Sequence, residues 1–144
     1  MSVIDAATNT VTMTLTGIKG PHNIQVGRDD SVVYAVSSAG IVAAIDPTTY
    51  RVSATAPTGA QPAHVIEAPN GKVYVTNSGD GTVSVYQAPG LSPAGLIRLD
   101  GMPHGLRPAA GGSAKVKAPP SNQPVASTVQ ALIGRAILVA ANTR

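Results

Sequence analysis

One local pattern returns three times along this chain. It reads Gly20-Pro21-His22-Asn23-Ile24, then Pro62-Ala63-His64-Val65-Ile66, then Met102-Pro103-His104-Gly105-Leu106, with the histidines 42 and 40 residues apart. Other features keep the same interval. Val33-Tyr34-Ala35-Val36-Ser37 returns as Val73-Tyr74-Val75-Thr76-Asn77, and Val3-Ile4-Asp5 returns as Ala44-Ile45-Asp46. A period near 40 in a β-patterned chain indicates one small antiparallel sheet per repeat, stacked radially as the blades of a propeller. The three histidines then occupy corresponding places in successive blades.

The alternation of apolar and polar residues supports strands through most of residues 2–106. Thr10-Val11-Thr12-Met13-Thr14-Leu15-Thr16 is the clearest case, with Val11, Met13 and Leu15 on one face. Four strand types are predicted per repeat. An innermost strand opens at the histidine (22–27, 63–68, 104–107). A second follows a tight turn (32–37, 72–77), then a third (2–4, 41–45, 82–87), and an outermost strand comes last (10–16, 51–56, 94–99). Asn70-Gly71 and Asp80-Gly81 provide the residues that tolerate positive φ in tight hairpins. Asp5 and Asp46 open turns in which a carboxylate can accept backbone N–H groups.

Composition narrows the class. Among 144 residues there are 15 Gly and 12 Pro, enough to demand many turns, and only 12% are charged. The chain has no Phe, no Trp and four Tyr, so its core must come from many small aliphatic contacts. Each buried Val or Ile contributes roughly 1.5–3 kcal/mol. The absence of cysteine removes disulfides, thiolate metal sites and a cysteine nucleophile. No run approaches the roughly 18 apolar residues that span a bilayer. Met1-Ser2-Val3-Ile4-Asp5 enters a repeat directly, without the pattern of a signal peptide, so the expectation is a cytoplasmic chain as written or a missing upstream part.

The regular pattern stops after Pro108, which divides the chain into a repeat region (1–108), a Pro/Gly-rich linker (109–126) and a divergent tail (127–144). The tail carries two readings. Val129, Leu132, Ile133, Ala136, Ile137 and Ala140 fall at helical spacing, with Ser127 and Gln130 as a capping box. Alternatively, Leu138-Val139-Ala140-Ala141-Asn142 resembles Val73-Tyr74-Val75-Thr76-Asn77, as though a repeat resumed. The helix is the preferred reading. Residues 1–100 carry five basic and seven acidic side chains, whereas residues 101–144 carry five basic and none acidic. That basic tail has no aromatic residue to stack on bases, so a solvated tail is expected rather than a nucleic-acid site.

Val73-Tyr74-Val75-Thr76-Asn77, with Ser78-Gly79-Asp80-Gly81-Thr82-Val83-Ser84-Val85 after it, resembles the YVTN family of β-propeller repeats, and the likeness covers about residues 2–108. The resemblance implies a propeller, commonly of seven blades, in proteins that are mostly periplasmic or extracellular. It includes surface-layer components, binding modules and relatives of lactonases and of haem- or copper-bearing propellers. This chain has too few blades to close a ring. The expected fold is therefore all-β, an incomplete propeller of about 2.5–3 four-stranded blades with a divergent, helical or strand tail. A fragment of a larger propeller, a truncated or frame-shifted gene product and a self-assembling unit all satisfy this. An open arc leaves apolar faces bare, so self-association, pairing with other blades or a tail folded back as a cap is expected.

The histidines are the ionisable groups that recur in all three repeats. Innermost strands of a propeller line its channel, so His22, His64 and His104 are placed near one mouth of it. The preferred reading is structural, each Pro-His step hydrogen-bonding the backbone of the adjacent blade. The others are a small-ligand role at the channel mouth, with Arg107 reaching an anion, and a Zn or Cu site, since neutral imidazole ligates both. His64 follows Pro62-Ala63 and so stands one place out of register, which argues against the metal. Asp29-Asp30 lies in a turn, and Glu67 is three residues from His64 on a strand, facing the other side. No acid–base pair, nucleophile elbow or phosphate loop is visible. The expected function is a non-catalytic module for binding or protein interaction, with no cofactor. The alternative is a fragment of a lactonase-like hydrolase or of a His-metal propeller protein.

Overall fold

A computed structural model describes residues 1–108 and 137–142. The strands are β1 (Ser2–Asp5), β2 (Thr10–Thr14), β3 (Pro21–Val26), β4 (Val33–Ser37), β5 (Ile41–Ile45), β6 (Val52–Pro57), β7 (Pro62–Glu67), β8 (Lys72–Asn77), β9 (Thr82–Gln87), β10 (Ser92–Arg98), β11 (Met102–Pro108) and β12 (Ile137–Asn142). All pairings are antiparallel, and there is no helix among the described residues. Two complete four-stranded blades, β3-β4-β5-β6 and β7-β8-β9-β10, are flanked by two-stranded sheets, β1-β2 and β11-β12. The chain is thus a segment of a β-propeller, and the strand bounds expected from alternation agree with those observed to within a few residues.

The tail corrects one expectation. Residues 137–142 are not helical. They form β12 against β11, with Leu106 opposite Val139 and Gly105 opposite Ala140. The repeat resumes, and the sheet register outweighs a helical spacing built from small residues. The linker at 109–126 and the proposed helix start at Ser127 lie outside the described residues.

The backbone keeps a stricter period than the side chains. Asn9, Tyr50 and Leu91 all have positive φ (54°, 55° and 59°) and stand 41 residues apart at the turn between the third and fourth strands. Asp30 and Gly71 (59° and 71°), and Gly40 and Gly81 (79° and 65°), repeat the interval in the other hairpins. Tyr and Leu adopt this conformation at a cost, because their Cβ crowds the following carbonyl. Asp5 and Asp46 brace two of these turns. Each Oδ1 accepts N–H groups two and three residues on, at 2.7 and 3.1 Å for Asp5 and 2.7 and 2.9 Å for Asp46. Those bonds hold the Asp46 carboxyl below its ordinary range.

Packing is between blades. One cluster joins the faces of the two complete blades through Tyr34, Val36, Val42, Val65, Val75 and Tyr86. A second seats Leu106 of β11 against Ile66, Tyr74, Val83 and Val85. A third places Leu15 and Ile18 beside Ala35, Ala43 and Ile45. Runs such as Ile41-Val42-Ala43-Ala44-Ile45 are apolar throughout because both faces of a central blade strand meet neighbouring blades.

Candidate functional site at the channel mouth

Each histidine lies at an irregularity of an innermost strand. On β3, Pro21 is opposite Ser37 and Asn23 opposite Val36, which leaves His22 as an extra residue. On β11, Pro103 faces Ala141 and Gly105 faces Ala140, leaving His104. On β7, Pro62 faces Asn77 and Val65 faces Val75, so the interruption falls across Ala63 and His64. A bulge of this kind re-aims a side chain out of the strict alternation of a strand. The displacement of His64 by one position is absorbed within the wider interruption.

The three rings consequently meet. His64 and His104 have ring centroids 4.9 Å apart, His22 and His104 5.8 Å, and His22 and His64 6.4 Å. The rings are inclined to one another by 59–75° rather than stacked. His22 Nδ1 is 2.9 Å from the carbonyl oxygen of Ala63. A carbonyl only accepts, so His22 donates from Nδ1. This is the bond to the adjacent blade expected of a Pro-His step. Burial, with the neighbouring His104, His22 and Arg107 acting after it, holds His64 below its ordinary range. Beside the rings is an open cavity of about 320 Å³, lined by His22 and His104 with Ser38, Gln61, Ser78 and Met102.

The surroundings are fixed by bonds within and between blades. Thr76 Oγ1 accepts from His64 N–H at 3.0 Å and donates to the His104 carbonyl at 2.8 Å. Ser78 Oγ donates to the Pro103 carbonyl at 2.5 Å, and Asn23 Oδ1 accepts from Val65 N–H at 3.1 Å. Sequence reasoning missed this role for Thr76, Ser78 and Asn23. Their partners lie on other strands, Thr76 with His104, Ser78 with Pro103 and Asn23 with Val65, so no local pattern signalled the role.

The remaining candidates divide. Arg107 is exposed on β11, and its charge acts on His64. Glu67 is turned away, its Oε2 accepting from Arg28 N–H at 3.2 Å. Asp29 closes its own turn by accepting from Ser31 N–H and Oγ at 3.1 and 2.6 Å. Among the described residues no three His, Cys, Asp or Glu side chains are arranged to hold a metal ion. The imidazoles gather without forming such a ligand set.

No family model matches the chain, and no curated protein matches it. Solved structures do. Kuenenia stuttgartiensis hydrazine synthase is similar over 66% of this chain and 28% of its own, at 24% identity and a TM-score of 0.58. The dihydro-heme d1 dehydrogenase NirN is similar over 73% and 24%, at 18% identity and a TM-score of 0.61. Citrobacter koseri AztD is similar over 70% and 30%, at 16% identity and a TM-score of 0.56. These likenesses establish the fold, a β-propeller segment. The chain spans between about a quarter and a third of the length of each of these three proteins.

Proposed function

We propose that this chain is a non-catalytic binding module whose ligand, a small anion or polar molecule, is taken at the mouth of the propeller channel by His22, His64 and His104, with Arg107 near. The observation that carries the reading is the meeting of three imidazoles from three successive blades, with centroids 4.9–6.4 Å apart. Hydrogen bonds between blades hold the backbone around them, which suits a preformed site. The likeness of residues 73–85 to YVTN repeats fits a binding role, since that family includes binding modules.

A second reading, a Zn or Cu ion on the same residues, draws on the same ring separations and on the ligating capacity of imidazole. It requires the rings to turn until their nitrogens converge. The hydrolase alternative has less support, because Glu67, the acid nearest His64 in sequence, is engaged with Arg28.

The test is an NMR titration of the histidine ring signals with inorganic phosphate and acetate, and separately with Zn²⁺. Saturable shifts of all three rings with an anion, weakened by Arg107→Gln, support the anion reading. Stoichiometric Zn²⁺ uptake lost in His64→Ala replaces it with the metal reading. Ring signals unmoved by all three probes would end both.

A further inference from the structure

The two flanking sheets are complementary halves of a blade. β1-β2 is the outer half, because it shares the outer-half markers of the complete blades. Asp5 corresponds to Asp46 in opening the turn, and Asn9 to Tyr50 in its positive φ. Thr12, Ser53 and Ala94 are the extra residues at a bulge in this pairing, again 41 residues apart. β11-β12 is the inner half, with His104 at the place of His22. In both complete blades the second strand pairs with the third, β4 with β5 and β8 with β9. Among the described residues, β12 and β1 are the strands that lack this partner.

The apolar surface agrees. Val65 faces the preceding blade and is 1% exposed, whereas Ile24, its counterpart 41 residues earlier, is 55% exposed. Val26 beside it is 48% exposed. This patch is the seat that the inner strands of the preceding blade would cover, and among the described residues the β1-β2 sheet has two strands, without an inner pair. Ile4 and Val11, each 61% exposed, extend the bare surface onto that half-blade.

We infer that two copies of this chain close head to tail into a six-bladed ring, each copy's β1-β2 completing the other's β11-β12. The described strands amount to three blades per copy, and propellers typically have 4–8 blades. Two copies make six and three would make nine, so only the pair falls in that range. A head-to-tail contact closes when its rotation returns to the start, and open edges and apolar patches are then removed together. The register follows from Val33 opposite Ile45, Tyr34 opposite Ala44 and Ala35 opposite Ala43. Carried over, Ile137 faces Ile4, Leu138 faces Val3 and Val139 faces Ser2 of the other copy. The second copy also brings its own three histidines to the same channel. This assembly rests on the fold and not on the binding role proposed above.

The test is the mass of the wild-type chain in solution, by light scattering after size exclusion. The expected result is a species of about twice the 14.4 kDa of one chain. A monomer at every concentration, as when further blades must come from elsewhere, overturns the inference. The cysteine-free sequence allows a register test with the double variant Ser2→Cys, Val139→Cys. Oxidation should give a covalently closed dimer, with each single variant giving none. A ladder of longer species means an open filament and overturns the ring. A dimer whose histidines bind nothing leaves this assembly standing and removes only the binding role.

Discussion

The imidazole of His22 donates from Nδ1 to the carbonyl oxygen of Ala63, 2.9 Å away and 41 residues further along the chain. The acceptor stands one repeat on from the donor, at the place in β7 where strict periodicity would put the next histidine. The bond therefore ties two blades at their innermost edge. Replacing His22 with Ala should lower stability by about 1 kcal/mol, the usual net worth of such a bond. A urea midpoint that does not fall would show that the bond contributes nothing.

His64 should make stability depend on pH. Its pKa in the folded protein is below the ordinary value of 6.5 because of burial first and neighbouring cationic groups second. The unfolded chain thus binds this proton more readily than the folded one. The contribution is fully present above about pH 6.5 and is lost as pH falls below it, down to the folded pKa. Melting temperatures measured from pH 8 to pH 5 should decline for the wild type, and the decline should be shallower in His64→Gln. Parallel curves for the two proteins would refute the assignment.

Tyr86 links the outer parts of the complete blades. Its hydroxyl donates to the Pro57 carbonyl at 2.6 Å, and its ring is buried among Val36, Val42 and Val65. Tyr86→Phe keeps the ring and removes the bond, at an expected cost of about 0.5–1.5 kcal/mol. Tyr86→Ala should cost several times more, about 3–5 kcal/mol, because it opens a cavity in the core between blades. Equal losses in the two variants would mean that the ring contributes little.

Tyr50 holds a φ of 55° while 37% exposed, so its side chain gives back little for the strained backbone. The same place in the first repeat is Asn9. Tyr50→Asn should raise stability by about 0.5–1 kcal/mol, since Asn tolerates this conformation better. Calorimetry of the two proteins decides it, and a lower melting temperature for the variant would count against the strain.

The arc of blades was legible because its signals are local. Alternation, turn residues and the return of Val-Tyr-X-X-Ser/Asn mark strands and hairpins within a few residues. The position of the histidines at one mouth also followed from their place at the start of innermost strands. Whether the rings meet was not legible. The intervals of 42 and 40 placed His64 out of step, and only the wider bulge across Ala63 and His64 restores the cluster. The tail misled for the converse reason. Its small aliphatic residues satisfy a helical and a strand pattern equally, and the choice was made by the hydrogen-bonding edge that β11 offers.

Taken alone, the order of residues determined the repeat, the four strand types and the absence of thiol chemistry, since each depends on neighbours a few positions away. The tertiary structure decided the meeting of His22, His64 and His104, the bond of Glu67 to the Arg28 N–H and the outer-half and inner-half characters of the two flanking sheets. These depend on how one blade leans on the next. Contacts between groups some 40 residues apart in the chain are set by sheet packing and bulges, which no local pattern of side chains encodes.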